Sequence, residues 1–283
     1  MATSVHRHRQ LPVVLVLAGH DPTGGAGLVA DAEAIAACGG WALTIPTALT
    51  VQDCRNVHAV MPCDPDAMRA MATALATFEV AAIKVGLVPD MATLDAITDI
   101  VRRFPGVPLV VDPVLKAGGG CELSTAELVD AFRERLLPLV DILTPNRQEL
   151  MRLSSVTVDD DTERAVELMT LGCQAVLVTG TDEPARGVAA NRVAHTLHAP
   201  DLSRQWSWER LDGQYHGSGC TLAASLAARL AAGETLVTAC EQAQAFTWQA
   251  LAHGWQPGDQ QALPRRLWQL PEIPPGDSYR VDR

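Results

Sequence analysis

Four stretches of the chain collect residue types that do chemistry. The first is Gly19-His20-Asp21-Pro22-Thr23-Gly24-Gly25-Ala26-Gly27, with four glycines in nine residues. Such a run lets the backbone turn tightly and approach a ligand. It is not a P-loop, because Gly25 stands where that motif needs Lys. Gly25 to Ala30 fits G-x-G-x-x-A, but six residues separate it from the end of the apolar run. No acid closes the second strand about 20 residues later either, so a dinucleotide fingerprint is weakly supported. A Gly-rich turn that only packs a helix is the plainer alternative. Asp31 lies four residues after Gly27, on the same helix face. It suits a ligand hydroxyl, or else it is an ordinary solvated acid.

The second stretch, His216-Gly217-Ser218-Gly219-Cys220-Thr221, opens an Ala/Leu-rich helical segment. Backbone N–H groups at a helix start point outward with the positive dipole end, and glycines keep side chains clear. Gly217, Ser218, Gly219 and Cys220 can therefore surround an anion, here a phosphoryl group in transfer. A thiol in the first turn has a lowered pKa and can act as base or nucleophile. Burial as a small apolar residue is the commoner fate of a free Cys. A hydrolase elbow is excluded, since His216 replaces its first glycine.

The third group comprises Asp112, after Leu109-Val110-Val111, and Asn146-Arg147-Gln148-Glu149, after Leu143-Thr144-Pro145. Asp112 and Glu149 offer the oxygen donors that magnesium takes alongside water and phosphates. Asn146 with Glu149 three residues later also reads as a helix capping box. The fourth is Thr50-Val51-Gln52, where the Gln52 amide offers a donor and an acceptor together, matching the edge of an aminopyrimidine. Lysine chemistry has two candidates in the chain, Lys84 and Lys116.

These residues need elements to place them. Apolar β-rich runs alternate with helical patterns. Strands are expected at 13–18, 41–49, 81–85, 108–111, 141–144 and 175–179. Helices are expected at 24–38, 65–77, 90–104, 124–137, 146–153 and 162–171. In the helix at 124–137, Ser124 is the expected N-cap and Glu127 completes its box. Pro46 marks a bulge or an edge. Two edge strands at 187–197 and 205–211 and two helices at 219–232 and 235–253 follow. This order predicts an α/β three-layer sandwich, a mostly parallel sheet with helices on both faces. Ligands of such sheets sit at the carboxyl ends of strands, where the informative residues fall.

The 283 residues are 48% hydrophobic with net charge −11. That favours one large core over disorder and argues against nucleic-acid or anionic-membrane partners. A single domain is expected over 11–270, with a disordered tail at 271–283. Seven cysteines, an odd number without C-x-x-C, argue against a disulfide framework or a structural zinc site. They suggest a cytoplasmic setting. The apolar run Leu11–Ala18 follows a basic stretch as a signal peptide would, but its β-branched residues and the following Gly19-His20-Asp21-Pro22 favour a first strand.

Together and in this order, the stretches AGHDPTGGAGLVAD, TALTVQ, IKVGLV, VVDPVL, LTPNRQEL, VLVTG and HGSGCTLAAS resemble the hydroxymethylpyrimidine and phosphomethylpyrimidine kinases of thiamine biosynthesis. These belong to the ribokinase-like superfamily, whose sugar kinases usually carry Asp at the Cys220 position. The likeness runs from about residue 13 to 253. It implies a ribokinase-like fold, a homodimer, and ATP-dependent phosphorylation of 4-amino-5-hydroxymethyl-2-methylpyrimidine, then of its monophosphate. By matching position, Gln52 would bind the pyrimidine, with Gly19, Asp31, Thr50, Leu87 and Val114 shaping its pocket. Cys220 would be the base, and Gly217 to Cys220 the anion hole. Asp112 and Glu149 would serve Mg2+ and the ATP phosphates, with Asn146, Thr179 and Gly180 on the nucleotide side. Many members have Lys at the Thr179 position and Lys-Asn-Thr where this chain has Asp212-Gly213-Gln214-Tyr215. The lysine of their DPVMVAKSG run moves to Lys116. Trp206 and Trp208 are expected to pack, with a place near adenine as the alternative. Two other functions fit the same residues: a pyridoxal or pyridoxine kinase, and a non-catalytic sensor of phosphopyrimidines.

Overall fold

The computed structural model describes residues 10–115, 124–181 and 191–271. Lys116, Cys121, the start of the expected strand at 187–197 and the tail beyond 271 lie outside them. Nine strands form one sheet: β1 (Val13–His20), β2 (Trp41–Gln52), β3 (Val57–Pro62), β4 (Val80–Val85), β5 (Leu109–Val111), β6 (Ile142–Leu143), β7 (Val176–Thr179), β8 (Arg192–Ala199) and β9 (Leu202–Glu209). Their order is β3-β2-β1-β4-β5-β6-β7-β8-β9. The six from β2 to β7 run parallel, and β3, β8 and β9 are antiparallel to their neighbours.

The two-residue period of β1 divides its apolar side chains between two cores. Leu15 and Leu17 pack on the side covered by α2 (Pro65–Ala74), α3 (Met91–Val101), α4 (Ala126–Arg135), α5 (Arg147–Leu153) and α6 (Asp161–Thr170). Val14, Val16 and Ala18 pack against α1 (Gly27–Ala37), α7 (Ser218–Ala231) and α8 (Leu236–Ala252). Small residues on α7, including Ala223, Ala224, Ala227 and Ala228, let it lie close to the sheet. No helix among the described residues is long and apolar enough to cross a membrane.

From β1 the chain passes to β2 on one side and later to β4 on the other. The strand order therefore reverses beside β1, which opens a crevice at the carboxyl ends of β1 and β4.

Several expected boundaries move. The first helix starts at Gly27, not Gly24, because Gly24 has φ +70° and belongs to a turn gathered by Asp21. Thr125, not Ser124, caps α4 by accepting from the Leu128 N–H. Pro46 sits at a bulge, where the partner of β1 steps from Pro46 to Ala48. The strand β3 was not expected: most of it is exposed, so burial imposes little apolar pattern on it. The last hairpin spans 192–199 and 202–209, displaced by a few residues from its expected limits.

Candidate active site

A cavity of about 240 Å³ opens at the carboxyl ends of β1, β4 and β5. Gly19, Thr50, Gln52, Leu87, Asp112, Val114, Asn146, Glu149, Thr179 and Gly217 to Cys220 all line it. Two expected residues do not. Gly180 continues the β7–β8 pairing, its N–H donating to Ala194 O at 3.0 Å. Asp31 is fully buried on α1, where both carboxylate oxygens accept from Lys84 Nζ at 2.8 and 2.9 Å. It is neither a wall of the cavity nor a solvated acid. Alternation along β4 explains the pairing: Ala82 and Lys84 face α1 and α7, while Ile83 and Val85 face the opposite core. Lys84 also lines the cavity, so Asp31 reaches the site through it.

Two glycine turns pack against each other here. A Cβ on Gly217, which has φ +86°, would lie 1.8 Å from Gly25 O. A Cβ on Gly27, with φ +61°, would lie 2.2 Å from Gly19 O. No other residue type fits either place without moving backbone. Asp21 gathers the first turn, accepting from the N–H groups of Thr23 and Ala26, each at 2.8 Å. It also meets His216 Nε2 at 2.7 Å, which links the first turn to the second. Burial alone would push the Asp21 carboxyl up. Hydrogen bonds from His216, Gln52 and Thr23 outweigh it and hold the group well below the usual carboxylate range. The Thr50 hydroxyl donates to His20 O at 2.9 Å, which fastens β2 to the same turn.

Gly217 is the N-cap of α7 and gives no side-chain cap. The Ser218, Gly219 and Cys220 amides precede the first helical bond, from Thr221 N–H to Gly217 O at 3.0 Å. They form the unsatisfied positive end of a helix and face the cavity. A Cβ on Gly219 would lie 3.4 Å from Asp112 Oδ2, so the buried carboxylate packs beside this helix start.

The electrostatics overturn one expectation. Burial pushes the Cys220 thiol up to about 12; Lys84 opposes this, and the charges of Asp31 and Asp112 add to it. The dipole of α7 does not offset burial reinforced by two neighbouring carboxylates. Asp112 is raised to about 6, first by burial and then by Asp31, against the opposing pull of Lys84 and a hydrogen bond from the Cys220 thiol. For Lys84, burial pulls downward, but Asp31, Cys220 and Asp112 outweigh it and keep the ammonium charged.

Asn146 and Glu149 form the expected capping box: Glu149 N–H donates to Asn146 Oδ1 at 2.9 Å, and Asn146 N–H to Glu149 Oε2 at 3.0 Å. Glu149 also lines the cavity, so its capping role leaves its carboxylate at the cavity wall. Among the described residues, no group of three or more His, Cys, Asp or Glu side chains could hold a metal on its own. Asp112 and Glu149 instead present separate oxygen donors to the cavity, the arrangement magnesium accepts when it arrives with phosphates and water.

A second cavity, of about 570 Å³, lies beside the first. Thr179, Thr181, Tyr215, Ser218 and Gly219 line both, so the start of α7 is a shared wall. Trp208 lines the larger cavity and donates to Gln244 Oε1 at 2.9 Å, whereas Trp206 is buried in the core. His195, also in that wall, is held neutral by burial, which pulls it down to about 4. Motif reading gave no role to Asp21, His216 or Arg266. The first two lie inside the Gly-rich motifs. Arg266 lies outside every motif, and only the fold brings it to the site.

Residues 21–265 match the phosphomethylpyrimidine kinase family. The chain belongs to that family. A hydroxymethylpyrimidine/phosphomethylpyrimidine kinase of Haemophilus influenzae is 30% identical over 258 residues, covering 85% of this chain and 91% of that protein. A thiamine biosynthetic bifunctional enzyme of Arabidopsis thaliana is 33% identical over 259 residues, covering 88% of this chain. The match takes in 48% of that relative, so this chain spans about half its length. The fold is ribokinase-like: the ADP complex of Bacillus subtilis pyridoxal kinase aligns with a TM-score of 0.81 and 27% identity, over 91% of this chain and 98% of that one.

Proposed function

We propose that the chain phosphorylates 4-amino-5-hydroxymethyl-2-methylpyrimidine, its monophosphate, or both, from ATP. One observation carries this: the bare amides of Ser218 and Gly219 form the wall between two cavities of unequal size. The smaller, with Gln52 at its side, suits a pyrimidine alcohol; the larger, walled by Trp208 and His195, suits a nucleotide. A phosphoryl group crossing between them passes the positive end of α7, which opposes its growing charge.

In this reading the alcohol oxygen attacks the terminal phosphorus in line, and the bond from phosphorus to the ADP oxygen breaks. The alcohol's proton moves to Cys220 sulfur while the thiol hydrogen moves to Asp112. The raised Asp112 carboxyl makes that transfer feasible near neutral pH. Gln52 orients the heterocycle, and Leu87 and Val114 fill its apolar flank. Mg2+ would be met by Asp112 and Glu149 through water, and bound there it would offset phosphate charge. The homodimer and the cytoplasmic setting belong to the same proposal. Free thiols at all six described cysteines fit a reducing compartment.

The structural likeness to a pyridoxal kinase supports a second reading, phosphorylation of pyridoxal or pyridoxine. A coupled ATP assay with the aminopyrimidine alcohol and pyridoxal in parallel, resolved for mono- and diphosphate, tests both. Turnover of the aminopyrimidine is expected. Turnover of pyridoxal alone would replace the first reading, and tight binding of the phosphopyrimidine without ATP turnover would indicate a sensor.

A further inference from the structure

Arg266 is 2% exposed and lines neither cavity. It belongs to the segment after α8. That segment is held in place by Arg265 N–H donating to Ala250 O at 2.9 Å and by Trp268 against the Phe246 ring at 5.1 Å. From there its guanidinium reaches both glycine turns. One end nitrogen donates to Gly25 O, and the other to Gly24 O at 3.2 Å and Glu33 at 3.1 Å. Its Nε donates to Thr221 Oγ1 at 2.9 Å.

Two of these branches, those through Thr221 and Gly25, end at Gly217. The Thr221 hydroxyl donates to Gly217 O at 2.8 Å. Gly25 O is the atom that leaves no room for a Cβ on Gly217. The amides that follow Gly217 are those facing the transferred phosphoryl group. A planar fork of fixed donors is well suited to holding several carbonyls in one arrangement. A buried guanidinium is also costly to leave unpaired, which keeps its acceptors in place.

We propose that Arg266 is a positioning residue for phosphoryl transfer: through Gly25 O and Thr221 it fixes the Gly217 peptide and hence the direction of the Ser218–Cys220 amides. This rests on the kinase reading above. Misplacing such donors by about an ångström costs on the order of 100-fold in rate.

The test compares Arg266→Met, Arg266→Lys, Thr221→Val and Glu33→Gln with wild type. The readouts are kcat per folded molecule, the KM for the alcohol, and hydrogen exchange of peptides covering 214–222. Arg266→Met should lower kcat about 10- to 100-fold with KM within about twofold. Arg266→Lys should recover part of the loss. Thr221→Val, which keeps the arginine but cuts one branch, should show a smaller loss of the same kind. Glu33→Gln removes only the outer partner and should behave as wild type. Exchange should quicken at 214–222 in Arg266→Met without a comparable rise along β4 and β5. If Arg266→Met does not fold, Thr221→Val decides by the same measurements. Unchanged kcat per folded molecule with only a lower melting temperature, or faster exchange spread evenly over the sheet, would overturn the proposal. If wild type phosphorylates no alcohol, the kinase reading fails, and the exchange pattern still decides whether Arg266 orders the helix start.

Discussion

Replacing Lys84 by Met tests the charge arrangement beneath the site. Lys84 and Asp31 are both fully buried, and Nζ lies 2.8 and 2.9 Å from the two Asp31 oxygens. Met keeps most of the side-chain volume and removes the ammonium, leaving a carboxylate in the core without its partner. Breaking a buried pair from one side costs about 3–5 kcal/mol, whereas replacing both partners by apolar residues is often neutral. At roughly 2–3 °C per kcal/mol for a chain of this size, Lys84→Met should melt about 6–15 °C lower at pH 7.5. The double variant Lys84→Met/Asp31→Leu should recover most of that loss, giving a large coupling energy in a double-mutant cycle. The deficit of the single variant should also shrink in acid. An unpaired buried Asp31 takes up a proton more readily folded than unfolded, so its penalty is present at high pH and fades as pH falls through the folded pKa. Thermal unfolding of the ligand-free protein between pH 5 and 8 measures all of this. A single variant melting within about 2 °C of wild type, or a double variant as unstable as the two singles added, would refute the reasoning.

Other outcomes follow from the same geometry. Cys220→Ala should retain ADP affinity in a calorimetric titration while turnover falls by about 10²–10⁴, the usual contribution of a positioned proton acceptor; near-normal turnover would remove the sulfur from the proton path. Asp112 holds its proton up to about pH 6 when folded, above the ordinary 3.8, so its ionisation disfavours the fold above that range and not below about 4. Asp112→Asn should therefore melt higher than wild type at pH 8 but not at pH 4, and should lose turnover in the coupled assay. Gly217→Ala forces a methyl group against Gly25 O at a left-handed φ. It should lower stability by about 1–3 kcal/mol in a denaturant titration and abolish most turnover.

Strand ends and glycine turns were legible in the sequence because local rules set them. Leu109-Val110-Val111 must be buried, so Asp112 must follow a strand end; Gly217 and Gly219 must keep the α7 start bare. The Asn146–Glu149 box could be read for the same reason, since its bonds join residues three apart. The exposed strand β3 could not, because nothing buries a pattern there.

Long-range placement was decided only by the tertiary structure. Asp31 reads as a surface or ligand acid until β4 sets Lys84 beneath it. Cys220 reads as an activated thiol until the fold buries it beside Asp31 and Asp112; burial first, and their charges with it, push the thiol up. Arg266 carries no local signal, and it reaches Gly25 across 241 positions of chain. Motifs reflect the backbone's short-range geometry, whereas the energy of a charge depends on every group packed around it, and those groups come together only when the chain folds.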